Sequence, residues 1–84
     1  GKTTDALTEY QSALALAERN DVKEYVELIT DSIGTLYYSS GKFEEANQWY
    51  KKAYELAAKN NNVPTQIISL VNQATLQRKL GKKE

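Results

Sequence analysis

Apolar residues recur at helical spacing along almost the whole chain. Over residues 4–19, Ala6, Tyr10, Ala13 and Ala17 step by four, three and four positions, which lays them along one helix face. Over 44–59, Ala46, Tyr50, Ala53 and Ala57 take the same steps. Alanine at three of four points leaves a face without bulk, so a neighbouring helix can approach closely while the tyrosine fills the remaining space. Between these stretches, Val22, Val26, Ile29, Ile33 and Leu36 or Tyr37 predict a third amphipathic helix. Val63, Ile67, Leu70, Val71, Ala74 and Leu80 predict a fourth, repeating the design more weakly. No segment alternates with period two for long enough to suggest a strand.

The punctuation agrees with this division. Gly41 and Gly81 stand where helices should stop, because glycine tolerates the left-handed conformation of a helix C-terminus. Asn60, Asn61 and Asn62 form a turn, and Pro64 suits the first turn of the helix that follows, where its missing N–H is not needed. Thr3, Thr4 and Asp5 are expected to begin the first helix as capping groups near the positive end of its dipole. The chain is therefore expected to be all-α, with four helices joined by short turns.

Aligning 1–20 with 41–60 matches Gly1/Gly41, Lys2/Lys42, Ala6/Ala46, Tyr10/Tyr50, Ala13/Ala53, Leu16/Leu56, Ala17/Ala57 and Asn20/Asn60, and Gly81-Lys82 continues the same 40-residue interval. This repeat gives the opening Gly1-Lys2-Thr3 a meaning. Those residues match the end of a phosphate-binding loop, but such a loop works through backbone N–H groups of glycine-rich residues before the lysine, and none precede Gly1 here. The turn of a repeat is the better reading.

Composition narrows the chemistry. With 84 residues the chain makes at most one small domain or part of a larger one. Having neither cysteine nor histidine, it lacks a disulfide framework, thiolate or imidazole catalysis and the usual zinc ligands. No metal or cofactor is expected. Eleven basic side chains balance eleven acidic ones, so no overall field attracts nucleic acid or an anionic membrane. The balance hides an asymmetry: residues 1–57 hold 10 acidic and 6 basic groups, net −4, and residues 58–84 hold 1 acidic and 5 basic, net +4. No apolar run approaches the length of a membrane span, and the start has no signal-peptide layout. The expected setting is the cytoplasm.

From Thr30 onward, the series Thr30, Ile33-Gly34, Tyr37, Gly41, Ala46, Tyr50 and Ala53 resembles the tetratricopeptide repeat, whose pattern runs Trp-x-x-Leu-Gly-x-x-Tyr, Ala-x-x-x-Phe, Pro. Gly34 stands where two helices of one hairpin cross closely, with Ala46 opposite. Thr30 replaces the large aromatic, Tyr50 replaces Phe, and no proline closes the unit, since Ala58 follows Ala57. The 40-residue interval exceeds the family's basic repeat of about 34 and resembles the longer units of kinesin-light-chain-type adaptors and bacterial peptide-pheromone receptors. The resemblance implies antiparallel helix hairpins in a short right-handed α-solenoid. In that register, 1–20 is the second helix of a repeat, 21–60 a complete repeat, and 61–84 the first helix of a further one. Ala74 matches Gly34, while Gln73 and Gln77 stand where Ile33 and Tyr37 do.

The resemblance further implies a protein–protein interaction module, not an enzyme, whose first helices line a concave groove for a peptide or partner segment. By motif position the groove residues are Leu28, Asp31, Ser32, Thr35 and Tyr38, then Ile68, Val71, Asn72, Thr75, Arg78 and Lys79. Asn72 is the strongest candidate, because an amide both donates to and accepts from a peptide backbone. Arg78 and Lys79 suit an acidic side chain or terminal carboxylate, although cations in a last turn also complement the helix dipole. Tyr50 is expected in the core, Trp49 toward the outer side, Tyr37 inward and Tyr38 toward the groove. Glu24 with Glu27, and Glu44 with Glu45, are acid pairs without a second catalytic group. The alternative is a structural segment that stacks or self-associates through its exposed repeat ends, without a ligand of its own.

Overall fold

The computed structural model of the protein describes residues 1–81. Four helices follow one another: α1 (Lys2–Arg19), α2 (Lys23–Ser39), α3 (Phe43–Lys59) and α4 (Val63–Gly81). Successive helices pack side by side, and α2 also touches α4. The described residues form no strand.

The three turns share one construction. Asp21, Gly41 and Asn61 sit at φ 56°, 81° and 59°, in the left-handed region. The residue after each donates its N–H five positions back: Val22 to Ala17, Lys42 to Tyr37, Asn62 to Ala57, at 2.8–2.9 Å. The left-handed residues themselves bond three back, to Glu18, Tyr38 and Ala58. These are Schellman ends, which satisfy carbonyls the helix leaves unpaired. Val22, Lys42 and Asn62 stand immediately before the next helix, so reversal takes three residues.

Helix starts differ from the expectation at Thr3, Thr4 and Asp5. The helix begins at Lys2 with Gly1 as its cap residue, and no side chain caps it. Thr4 and Asp5 are already helical; the Thr8 hydroxyl donates to the Thr4 carbonyl and the Asp5 N–H to that of Gly1. Asn62, by contrast, caps α4, its side-chain oxygen accepting from the Thr65 N–H at 3.3 Å. Pro64 lies in the first turn of α4, as expected, and α4 runs through Gly81, the last described residue.

The core gathers on α3. Ala46, Tyr50, Ala53 and Ala57 are all buried, covered by α2 on one side and α4 on the other. Gly34 makes this possible: a Cβ there would stand 2.7 Å from Tyr50 Cδ1 and 3.3 Å from the Ala46 carbonyl oxygen. The Tyr50 hydroxyl meets that of Thr35 at 2.9 Å, and Leu76 of α4 joins the cluster. Tyr37 stacks on Trp49 at 6.4 Å, and Lys52 lies over the Trp49 ring. Tyr38 packs on Phe43 at 5.4 Å.

Two apolar series stand open. The α1 stripe repeats that of α3 in sequence, yet only Ala17 is buried; Ala6 is half-buried, and Tyr10 and Ala13 are exposed. The reason is coverage, since among the described helices α1 packs only on α2. In α4 the apolar series Val63, Ile67, Leu70, Val71, Ala74 and Leu80 is exposed, and Thr65, Ser69 and Leu76 are buried instead. The α2 pattern fares better, with Ile33 buried, Val26, Ile29, Leu36 and Tyr37 half-buried, and only Val22 exposed.

At Gly41 an added methyl group would meet nothing within 4 Å, so replacing this glycine isolates the backbone term. Gly41→Ala is expected to destabilise the fold by about 1–2 kcal/mol, the cost of holding an L-residue in the left-handed region. Urea denaturation measures it.

Candidate interaction surface

Two acids on α2, one turn apart, account for the orientation of α4. Glu27 is 1% exposed, and its carboxylate oxygens accept from the side-chain amides of Asn60 and Asn62, both at 2.5 Å. Asp31 is 7% exposed; one oxygen accepts from the Ser69 hydroxyl at 3.0 Å and the other from the Asn72 amide at 2.9 Å. Isolated carboxylates would not tolerate such burial, whereas four donors from the α3–α4 turn and α4 satisfy these two. Asn62 serves twice, capping α4 through its oxygen and holding Glu27 through its nitrogen. Burial pushes the Asp31 carboxyl above the usual range for an aspartate, and the bonds from Ser69 and Asn72 pull it partly back.

This ladder explains why α4 turns its polar edge inward. Ser69 and Asn72 must face Asp31, and Ile67, Leu70 and Val71 then point elsewhere. Sequence reasoning passed over Glu27 as half of an idle acid pair and gave Ser69 no role. The available signal was Asn60-Asn61-Asn62, where the turn needs one left-handed residue and supplies three amides.

The residues expected to line a groove divide by burial. Asp31 is enclosed and its oxygens are engaged with α4, which joins it directly to Asn72. Leu28, Thr35, Ile68, Val71, Arg78 and Lys79 are exposed; Ser32, Tyr38, Asn72 and Thr75 are half-buried. Thr35 carries the bond to Tyr50, and Tyr38 rests on Phe43. Trp49, expected toward the outer side, is half-buried against Tyr37. Glu44 and Glu45 lie in the first turn of α3, where the helix dipole favours them. Among the described residues no group of three or more acids could hold a metal ion, and no helix is long and apolar enough to cross a membrane.

The raised Asp31 carboxyl has a definite linkage. A folded-state pKa above the unfolded one gives stability that is complete below the unfolded value, near 3.9, and is lost as pH rises through the folded value. Asp31→Asn removes that loss. Relative to the natural chain, the variant should gain stability as pH rises from about 4 and then level off; urea denaturation across a pH series checks the trend. Glu27→Ala, which strands the Asn60 and Asn62 amides, should cost about 1–3 kcal/mol in the same assay at neutral pH.

Comparison with known proteins agrees with this architecture. The sequence profile described as tetratricopeptide repeat matches residues 1–59, the span of α1, α2 and α3. No curated protein and no solved structure matches the chain. With most of its length under that profile, and with Gly34 set against Ala46 and Tyr50 as the repeat motif requires, the chain belongs to the tetratricopeptide repeat family.

Proposed function

We propose that the chain is a protein–protein interaction module that takes an extended peptide or partner segment along the exposed edges of α2 and α4. In this reading 21–60 is the complete repeat, and 1–20 and 61–84 are its flanking half-repeats. The observation that carries the proposal is the bond from the Asn72 amide to Asp31. It uses one amide hydrogen and holds the side chain at a fixed angle, leaving the carbonyl oxygen and the second hydrogen for a peptide backbone. An amide positioned before the ligand arrives loses little freedom on binding, so more of the contact energy appears as affinity. Leu28 and Ile68 offer apolar contact on the neighbouring edges, and Thr35 and Thr75 further hydroxyls.

Arg78 and Lys79 lie in the last turn of α4 and set the expected polarity of the ligand. A peptide with an acidic residue or a free C-terminal carboxylate at that end suits them. The test selects binders from a displayed peptide library and follows each by amide chemical shifts. Shifts should fall on α2 and α4, and Asn72→Ala should weaken binding about tenfold, near 1.4 kcal/mol, without altering the circular dichroism. Amidating the peptide C-terminus should weaken it as well. Shifts confined to α1 and α3, or binding indifferent to Asn72→Ala, would refute the reading.

A further inference from the structure

The 40-residue repeat permits a comparison within one molecule. Inside the chain, α2 lies in the cleft between α3 and α4 through Glu27 and Asp31. The same position on α4 carries Ile67 for Glu27 and Val71 for Asp31, and both are exposed, at 56% and 57%. The corresponding cleft between α1 and α2 is open. It is a depression of about 400 Å³ lined chiefly by apolar residues, including Leu16, Ala17, Val22, Tyr25 and Ile29.

The substitutions on the two open faces match at two of the four donor positions, while Asn20 and Ser32, the counterparts of Asn60 and Asn72, stay polar. Asn62, which donates to Glu27, is replaced one repeat earlier by Val22; Ser69, which donates to Asp31, is replaced by Ile29. Each acid that becomes aliphatic on α4 thus meets a donor that becomes aliphatic on α1–α2: Ile67 against Val22, and Val71 against Ile29. Asn20 keeps the amide of its counterpart Asn60, but its nitrogen donates to the Leu16 carbonyl at 2.9 Å and needs no acid. Tyr10 and Thr75 repeat the hydroxyl pair of Tyr50 and Thr35. Charge also agrees, since residues 1–57 carry net −4 and residues 58–84 net +4.

We propose that the occupant of the α1–α2 cleft is α4 of a second copy of this chain, docked in the register that α2 holds on α3–α4. Head-to-tail contact of this kind uses two different surfaces, and each added copy presents a fresh α4, so growth is open-ended. One feature makes the junction weaker than the internal contact. Ala74 stands where α2 has Gly34, and a Cβ at Gly34 would lie 2.7 Å from the tyrosine ring. Tyr10, 37% exposed where Tyr50 is 3%, has room to move aside.

Sedimentation velocity of the full chain from about 10 μM to about 1 mM spans weak association. The weight-average mass is expected to climb past twice the 9.5 kDa of one chain. Ile67→Glu with Val71→Asp, at exposed positions, should leave helicity intact and hold the mass at one chain, because each new carboxylate would be buried against an aliphatic residue, Val22 or Ile29, where the internal contact has the donors Asn62 and Ser69. Mixing that variant with Val22→Asn, Ile29→Ser should restore a complex absent from either alone; where Ile29→Ser lowers helicity, Ile67→Glu with Val22→Asn is the pair. A single-chain mass throughout would overturn the proposal and assign the open faces to other segments. So would association that stops at a dimer, survives Ile67→Glu with Val71→Asp, or fails to return in the helical mixture.

Discussion

The close approach of α2 and α3 at Gly34 is the constraint on which the rest of the molecule depends. With no side chain there, the Tyr50 ring lies against the α2 backbone, and the Ala46 carbonyl sits within contact distance of where a methyl group would be. Close packing in protein interiors leaves no slack for an added atom at such a point. The ring, pinned at its far end by the Thr35 hydroxyl, becomes a platform on which Leu76 of α4 also rests. One missing Cβ therefore sets the separation of α2 and α3 and, through Tyr50, the seat of α4.

The seat alone would not orient α4, because apolar contacts lack direction. Direction comes from hydrogen bonds, and here they run to buried acids. Glu27 and Asp31 give up hydration and recover it as bonds from Asn60, Asn62, Ser69 and Asn72. Such a network adds little net stability, since desolvation offsets most of the attraction, but rotating the helix would leave carboxylates buried and unpaired. The consequence reaches the surface. With Ser69 and Asn72 committed inward, the aliphatic residues of α4 are presented outward, and Asn72 is held beside the exposed edge of α2.

How much of this could be read from residues alone differs from element to element. Helices, turns and the hairpin crossing were legible, because helical spacing, Gly41 and the Gly34–Ala46–Tyr50 series are local or near-local signals. The similarity of α1 to α3 was legible too, as was the uncovered α1 stripe of a repeat that begins at its second helix. Hydrophobic periodicity misled at α4. It ranks faces by apolar content, and the face that packs sets Thr65 and Ser69 beside Leu76, since Asp31 of another helix takes its donors from Ser69 and Asn72. Capping misled at Thr3 and Thr4, where hydroxyls suited to a cap fell one or two residues inside a helix that starts at Lys2.

The sequence by itself determined what nearest neighbours along the chain can settle: four helices, reversals at Gly41 and at Asn60, Asn61 and Asn62, and a repeat of 40 residues. These depend on backbone propensities that act over a few residues. Only the tertiary structure decided which face of α4 turns inward, and that Glu27 and Asp31 are anchors rather than solvated charges. Those outcomes require donors and acceptors 33 to 41 positions apart to meet, and burial is a property of what lies opposite a residue rather than of the residue itself.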